Sequence, residues 1–248
     1  MIEVRGRKIE TQRLGPEKGP TLVLLHEGLG SLGLWRDFPQ RLSEATGLGA
    51  FIYSRAGYGR SDPAPLPRPV RYLHDEAELL PEILQAAGVA DPLLFGHSDG
   101  ASIAIIAAGM GLRTRALLLE APHVFAEESG LQSIARMRDL YLQTDLREKL
   151  SRWHQDVDAA FHGWNGAWLH PDFRQWNLEE YLPAISSPIL LLQGMDDEYG
   201  SEAQLRAIAR GARGETTTVL LPGCGHSPHK EKPEETLRAI QTFLQRLL

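Results

Sequence analysis

The 248-residue chain has a single cysteine, Cys224. That excludes an internal disulfide and suits a reducing compartment. It has no CxxC and no HExxH, so no metal site suggests itself. No uncharged apolar run approaches the roughly 18–20 residues needed to cross a bilayer. The opening stretch MIEVRGRKIE carries no apolar leader. Positive charge is in deficit, with 26 Lys and Arg against 32 Asp and Glu and a net charge of −6. That balance argues against nucleic acid or an anionic membrane as the main partner. Together these absences predict a cytoplasmic protein with neither nucleic acid nor a membrane as its partner, and they say nothing of oligomeric state.

What is present is ordinary globular composition, 42% hydrophobic and 23% charged, in a chain long enough to bury a large core. Short apolar runs, TLVLLH (21–26), AFIYS (50–54), PLLFG (92–96), ALLLE (116–120), PILLLQ (188–193) and TTVLL (217–221), read as strands covered on both faces. Helical patterns around 34–45, 73–87, 100–110, 201–211 and 233–247 alternate with them. The rhythm predicts an α/β protein with a doubly wound, mostly parallel sheet. The first residues read as an antiparallel hairpin at one edge, turning at Arg5-Gly6-Arg7. From Pro122 to Ser187 no strand is predicted. The segment is helical in pattern and holds four of the five tryptophans. Connections in such a sheet leave from the strand ends where ligands bind, so an insertion here is placed to fold over a site.

One local pattern carries chemistry. In LLFGHSDGAS a strand runs into Gly96-His97-Ser98-Asp99-Gly100 and then into a helix of small residues. A serine on such a strained turn projects its hydroxyl clear of the surface, and the flanking glycines remove side chains that would clash. Ser98 is therefore the candidate nucleophile. It needs a base, and the loop PGCGH after the last strand offers His226, with His229 as a rival that would more simply cap or flank the final helix. A carboxylate must orient the imidazole. Asp196, Asp197 and Glu198 follow one buried strand, and Glu120 ends the strand before it. An oxyanion needs two backbone N–H donors. One is expected from Asp99 and the other from the glycine-bearing loop His26 to Trp35. The Asp99 carboxylate, in the first turn of a helix, is expected to point away from that hole.

These segments, LLHEGLGS, SRAGYGRSDP, GHSDGAS, LLLQGMDDEYG and PGCGHSPHKEKPEE, stand in the order seen in the α/β-hydrolase superfamily, and the chain resembles that family over nearly its whole length. The resemblance implies an α/β-hydrolase fold, with a core of 1–121 and 188–248 and a helical lid of 122–187. It selects Asp197 as the triad acid beside Ser98 and His226. It also selects Gly28, with Leu29 second, as the other oxyanion donor beside Asp99. Two positions depart from the pattern, Glu27 where glycine is usual and Ser54 where aspartate is common. The implied activity is serine-dependent hydrolysis of a carboxylic ester, with no cofactor or metal. C–C bond hydrolysis of 2-hydroxy-dienoates, a perhydrolase or lyase reaction, and slow-turnover ligand reception are the alternatives. The aromatic lid suggests a substrate with an apolar or aromatic moiety. His97, His123, Phe125, Trp164 and Trp168 are its candidate contacts, and His162 and Asn165 are available for a polar group.

Overall fold

The computed structural model describes residues 1–247; Leu248, the closing residue of the predicted core segment, lies outside the described residues. Strands β1 (Ile2–Val4) and β2 (Arg7–Ile9) form a hairpin in which Val4 faces Arg7. The two turn residues, Arg5 and Gly6, both have positive φ, the geometry that matches the twist of the flanking strands. The hairpin is a separate two-stranded sheet, which corrects the expectation of a hairpin at one edge of the main sheet. At Glu10 the ladder breaks, because its N–H donates to Ser61 Oγ and its carbonyl accepts from Ser54. Strand β3 (Thr11–Leu14) then joins the main sheet.

That sheet continues with β4 (Thr21–Leu25), β5 (Gly49–Tyr53), β6 (Pro92–His97), β7 (Leu117–Glu120), β8 (Ile189–Gly194) and β9 (Thr216–Leu221). Its spatial order is β3-β5-β4-β6-β7-β8-β9, with only β3 antiparallel. Between them run α1 (Phe38–Thr46), α2 (Tyr72–Ala86) and α3 (Asp99–Gly109). After β7 come α4 (Glu128–Gln143), α5 (Leu146–Ser151) and α6 (Val157–Trp168). The chain closes with α7 (Glu202–Gly211), α8 (Pro228–Glu231) and α9 (Pro233–Leu244). The predicted helix at 34–45 is divided into a 3₁₀ turn, Leu32–Trp35, and α1, because Arg36 takes a positive φ. The short α8 was not expected.

Alternate strand residues feed two cores. Val23, Leu25, Phe51, Leu94 and Leu117 pack on the face covered by α2 and α3. Leu22, Leu24, Ile52, Phe95, Leu118 and Leu190 pack on the face covered by α1 and α9. Strands β4 to β8 are buried throughout, which is why they read as unbroken apolar runs. From β4 the chain first crosses to β5 on one side and then returns to β6 on the other. That reversal opens a crevice at the carboxyl ends of β4 and β6. The segment between β7 and β8 is helical, with one isolated bridge, Phe125 to Asn177. Among the described residues no helix is long and apolar enough to cross a membrane.

Candidate active site

The crevice is built first by a backbone constraint. Ser98 sits between β6 and α3 with φ 55° and ψ −115°, a region costly for any residue with a Cβ. The turn holds because its neighbours are glycines. A Cβ on Gly96 would strike the backbone of Gly100, and one on Gly100 would overlap the Leu25 carbonyl of β4. Neither obstacle is a side chain that could rotate away. Gly100→Ala is therefore expected to destabilise the fold by about 3 kcal/mol or more. Urea unfolding checks this, and an unchanged midpoint would contradict the packing account.

Two residues far along the chain pair at the cavity that Ser98 also lines. His226 Nδ1 lies 2.9 Å from both carboxylate oxygens of Asp197. Asp197 also accepts from Gln193 Nε2 at 2.7 Å and from the Tyr199 N–H at 2.9 Å. Burial alone would raise the Asp197 pKa; the facing His226 and the Tyr199 N–H outweigh it and hold the carboxyl below its usual range. With Nδ1 engaged, Nε2 is the ring nitrogen left for a partner. The loop carrying His226 is pinned from behind, where His97 Nε2–H donates to the His226 carbonyl at 2.8 Å.

The other acids are placed elsewhere. Asp196 is exposed, and its N–H donates to the Cys224 carbonyl. Glu198 is exposed at the cavity mouth. Glu120 is fully buried and binds both the N–H and Nδ1 of His229, the latter at 2.7 Å. His229 thus lies in α8 under the Trp35 ring, 4.7 Å away, and none of His97, Glu120 and His229 lines the cavity. Their donor atoms lie within 4.8 Å of one another, but both imidazoles already hold hydrogen bonds there. This buried cluster escaped sequence reading. Its one signal was an acid closing an otherwise apolar strand, ALLLE.

At the opposite wall the loop after β4 brings Gly28 and Leu29 beside Ser98 and Asp99. The Trp164 indole lies against Gly28 where any Cβ would stand, so a side chain here would have to displace that ring. Among the described residues neither the Gly28 nor the Asp99 N–H has a protein acceptor. The Asp99 carboxylate is buried and accepts from Tyr72 Oη at 2.5 Å and Trp168 Nε1 at 3.1 Å. It sits in a hydrogen-bond network beneath the turn.

Gly28, Leu29, Ser98, Asp99 and His226 border one cavity of about 500 Å³, with Asp197 behind His226 and outside the lining. Its far side comes from the inserted segment: Ile134 and Met137 of α4, Leu146 and Leu150 of α5, Trp164 and Trp168 of α6. The expected substrate contacts divide. His123, Trp164 and Trp168 line the cavity, whereas His97 and Phe125 do not. His97 is spent on the His226 loop. Phe125 is held back by its bridge to Asn177 and by Gln204, which bonds its N–H and carbonyl. Asn165 is also withdrawn, donating to the Ile134 carbonyl at 2.9 Å, and His162 packs on Tyr141 and Phe161.

A model of the "Alpha/beta hydrolase family" matches residues 22–239. The chain belongs to this α/β-hydrolase family. Among solved structures it resembles a membrane phospholipase A described as a bacterial virulence factor, at 25% identity and a TM-score of 0.80, over 99% of this chain and 85% of that one. It also resembles a thermophilic esterase from Thermogutta terrifontis, at 19% identity and a TM-score of 0.75, over 99% and 96% of the two chains. A proline iminopeptidase from Mycobacterium smegmatis matches at 17% identity and a TM-score of 0.76, over 99% and 97%. These names cover both ester and peptide bonds, so the family match supports a hydrolase without choosing the bond.

The α/β-hydrolase buries five of its nine imidazoles. Burial and the adjacent Arg55 push His26 well below its ordinary pKa. Burial and His226 push His123 down to about 4. Burial lowers His154 and also His229, the latter despite Glu120. His97 runs the other way, because Glu120 and Glu27 outweigh its burial. A histidine whose folded pKa is lowered contributes stability that is complete above its unfolded value, about 6.5, and lost as pH falls toward the folded value. Burial also lowers His74, and five lowered groups against one raised group predict that the melting temperature falls between pH 7.5 and pH 5. Thermal unfolding at the two values checks the sign, and an equal or higher value at pH 5 would refute it.

Proposed function

We propose that this α/β-hydrolase cleaves carboxylic esters through an acyl-enzyme on Ser98. The observation that carries the reading is the meeting of a strained strand-to-helix serine with a His226–Asp197 pair on one cavity. Ser98 Oγ attacks the ester carbonyl as its proton passes to His226 Nε2, and the carbonyl oxygen becomes an oxyanion. The Gly28 and Asp99 N–H groups stabilise that charge, a contribution of about 3–4 kcal/mol per donor. Collapse expels the alcohol, which takes the proton from His226. Water then attacks the acyl carbon, His226 accepts its proton, and collapse releases the acid and returns the proton to Ser98. Asp197 holds the imidazole and balances its transient charge. None of these steps calls on a metal or cofactor.

The segment 122–187 acts as the lid, and its Ile134, Met137, Leu146, Leu150, Trp164 and Trp168 suit an apolar substrate moiety. The C–C reading needs a cation for a substrate carboxylate. Among the described lining residues Lys230 is the one Lys or Arg, and its ammonium lies 3.2 Å from Glu27. That pairing favours esters of uncharged acids. The test is a fluorophosphonate probe alongside short p-nitrophenyl esters. Stoichiometric labelling at Ser98 with rapid ester turnover is expected. Labelling without turnover would favour slow ligand reception, and an unlabelled Ser98 in folded protein would remove the nucleophile assignment.

A further inference from the structure

We infer that Arg55 is the positioning residue for both oxyanion donors, one guanidinium bridging the two peptide segments that carry them. The inference rests on the acyl-enzyme reading above and deepens it. Arg55 is buried, directly after β5. Its Nη2 donates to the Glu27 carbonyl at 2.8 Å. Its Nη1 forms an ion pair with Asp99 Oδ2 at 3.5 Å. Its own N–H and Nε donate to His26 Nε2 at 3.1 and 3.3 Å. With Nε2 accepting, His26 carries its hydrogen on Nδ1 and donates to the same Glu27 carbonyl at 2.7 Å. The Gly30 N–H is a third donor to that oxygen at 3.0 Å.

Those three bonds fix the direction of an N–H that none of them touches. The Glu27–Gly28 peptide is trans, so its C=O and N–H point in opposite directions. Anchoring the Glu27 carbonyl inward, on Arg55, His26 and Gly30, turns the Gly28 N–H the other way, on the loop that borders the cavity with Ser98. The same guanidinium attracts the Asp99 carboxylate, and with it the first residue of α3, through that ion pair, which carries no hydrogen bond of its own. Tyr72 and Trp168 donate to that carboxylate. The planar fork is what permits one side chain to bridge a carbonyl and a carboxylate together; a lysine ammonium is a single point of attachment. Glu27, the departure from the family pattern, is compatible with this arrangement because its carbonyl does the anchoring while its carboxylate faces Lys230.

The experiment compares Arg55→Lys and Arg55→Met with wild type, each first checked for folding by circular dichroism and melting. The readouts are kcat and KM on p-nitrophenyl butyrate and the affinity for a trifluoromethyl ketone. Ser98 adds to that ketone as its proton passes to His226, leaving the oxygen as an oxyanion. Removing one donor outright costs about 10²–10³ in kcat, so misaligning both is expected to cost about 10–100-fold. KM should stay within about threefold, ketone affinity should fall in step with kcat, and lysine should not rescue either variant. A merely structural Arg55 would lower the melting temperature and leave kcat and ketone affinity of the folded protein within about twofold of wild type, which would overturn the inference. Should neither variant fold, Asp99→Asn breaks the ion pair while keeping the donor N–H. The same loss of kcat and ketone affinity is then expected, and unchanged values would overturn it. Wild type labelled at Ser98 with unaltered variants would defeat this inference alone, whereas failure to label wild type defeats the acyl-enzyme reading and takes this one with it.

Discussion

Ser98→Ala is expected to lower kcat on p-nitrophenyl esters by about 10⁴-fold or more, with the fold intact. The substitution deletes Oγ, the atom that would bond to the acyl carbon. It leaves the His226–Asp197 pair and the Gly28 and Asp99 N–H groups in place, so a residue of water attack persists. Alanine keeps a Cβ at φ 55° and so keeps the backbone strain. Ser98→Gly removes it and is expected to unfold at higher urea than wild type, by about 1 kcal/mol, while being equally inactive. That pairing separates catalysis from structure, since the position is costly to the fold and kept for its hydroxyl. Comparable turnover in wild type and Ser98→Ala would place the chemistry elsewhere in the cavity.

Asp197→Asn is expected to reduce kcat by about 10⁴-fold, while Asp196→Asn stays within about twofold. Asp197 accepts three bonds, from His226, Gln193 and the Tyr199 N–H. An amide must turn its NH₂ toward one of those donors, which either evicts Gln193 or forces the imidazole into the tautomer that cannot take the Ser98 proton. It also removes the negative charge that balances the imidazolium. Asp196 is one residue away but exposed, and its contribution to the turn is a backbone N–H that the substitution leaves unchanged. Steady-state kinetics on both variants, with melting curves as controls, decide the matter. The reverse order of effects would move the acid to Asp196.

Strands β4 to β8 were readable because each is an apolar run of four to six residues covered on both faces; β9, expected to be covered likewise, is only half-buried because it is the last strand of the sheet. The turn at Ser98 was readable because its backbone demands glycine at 96 and 100, a requirement met within five residues. Arg5 and Gly6 announced the first hairpin for the same local reason. The edge of the sheet was harder. The break at Glu10 depends on Ser54 and Ser61, which lie far along the chain. The aromatic insertion was legible as helical, but not residue by residue. Trp164 and Trp168 face the cavity, while Phe125, His162 and Asn165 are taken up by other partners.

What the sequence by itself determined is therefore whatever neighbouring residues decide together: strand and helix periodicity, the glycine-gated nucleophile turn, the order of the loops at the sheet's carboxyl edge, and the family. Residue chemistry narrowed the acid to four carboxylates, and the family pattern then singled out Asp197. Only the tertiary structure decided which side chains meet. His226 finds Asp197 across 29 positions and His229 finds Glu120 across 109, because strand register and loop path, rather than local spacing, bring their ends together. The same holds for Arg55. Its role depends on the direction of one peptide plane in another loop, and that direction exists only once β4, β5 and β6 lie side by side.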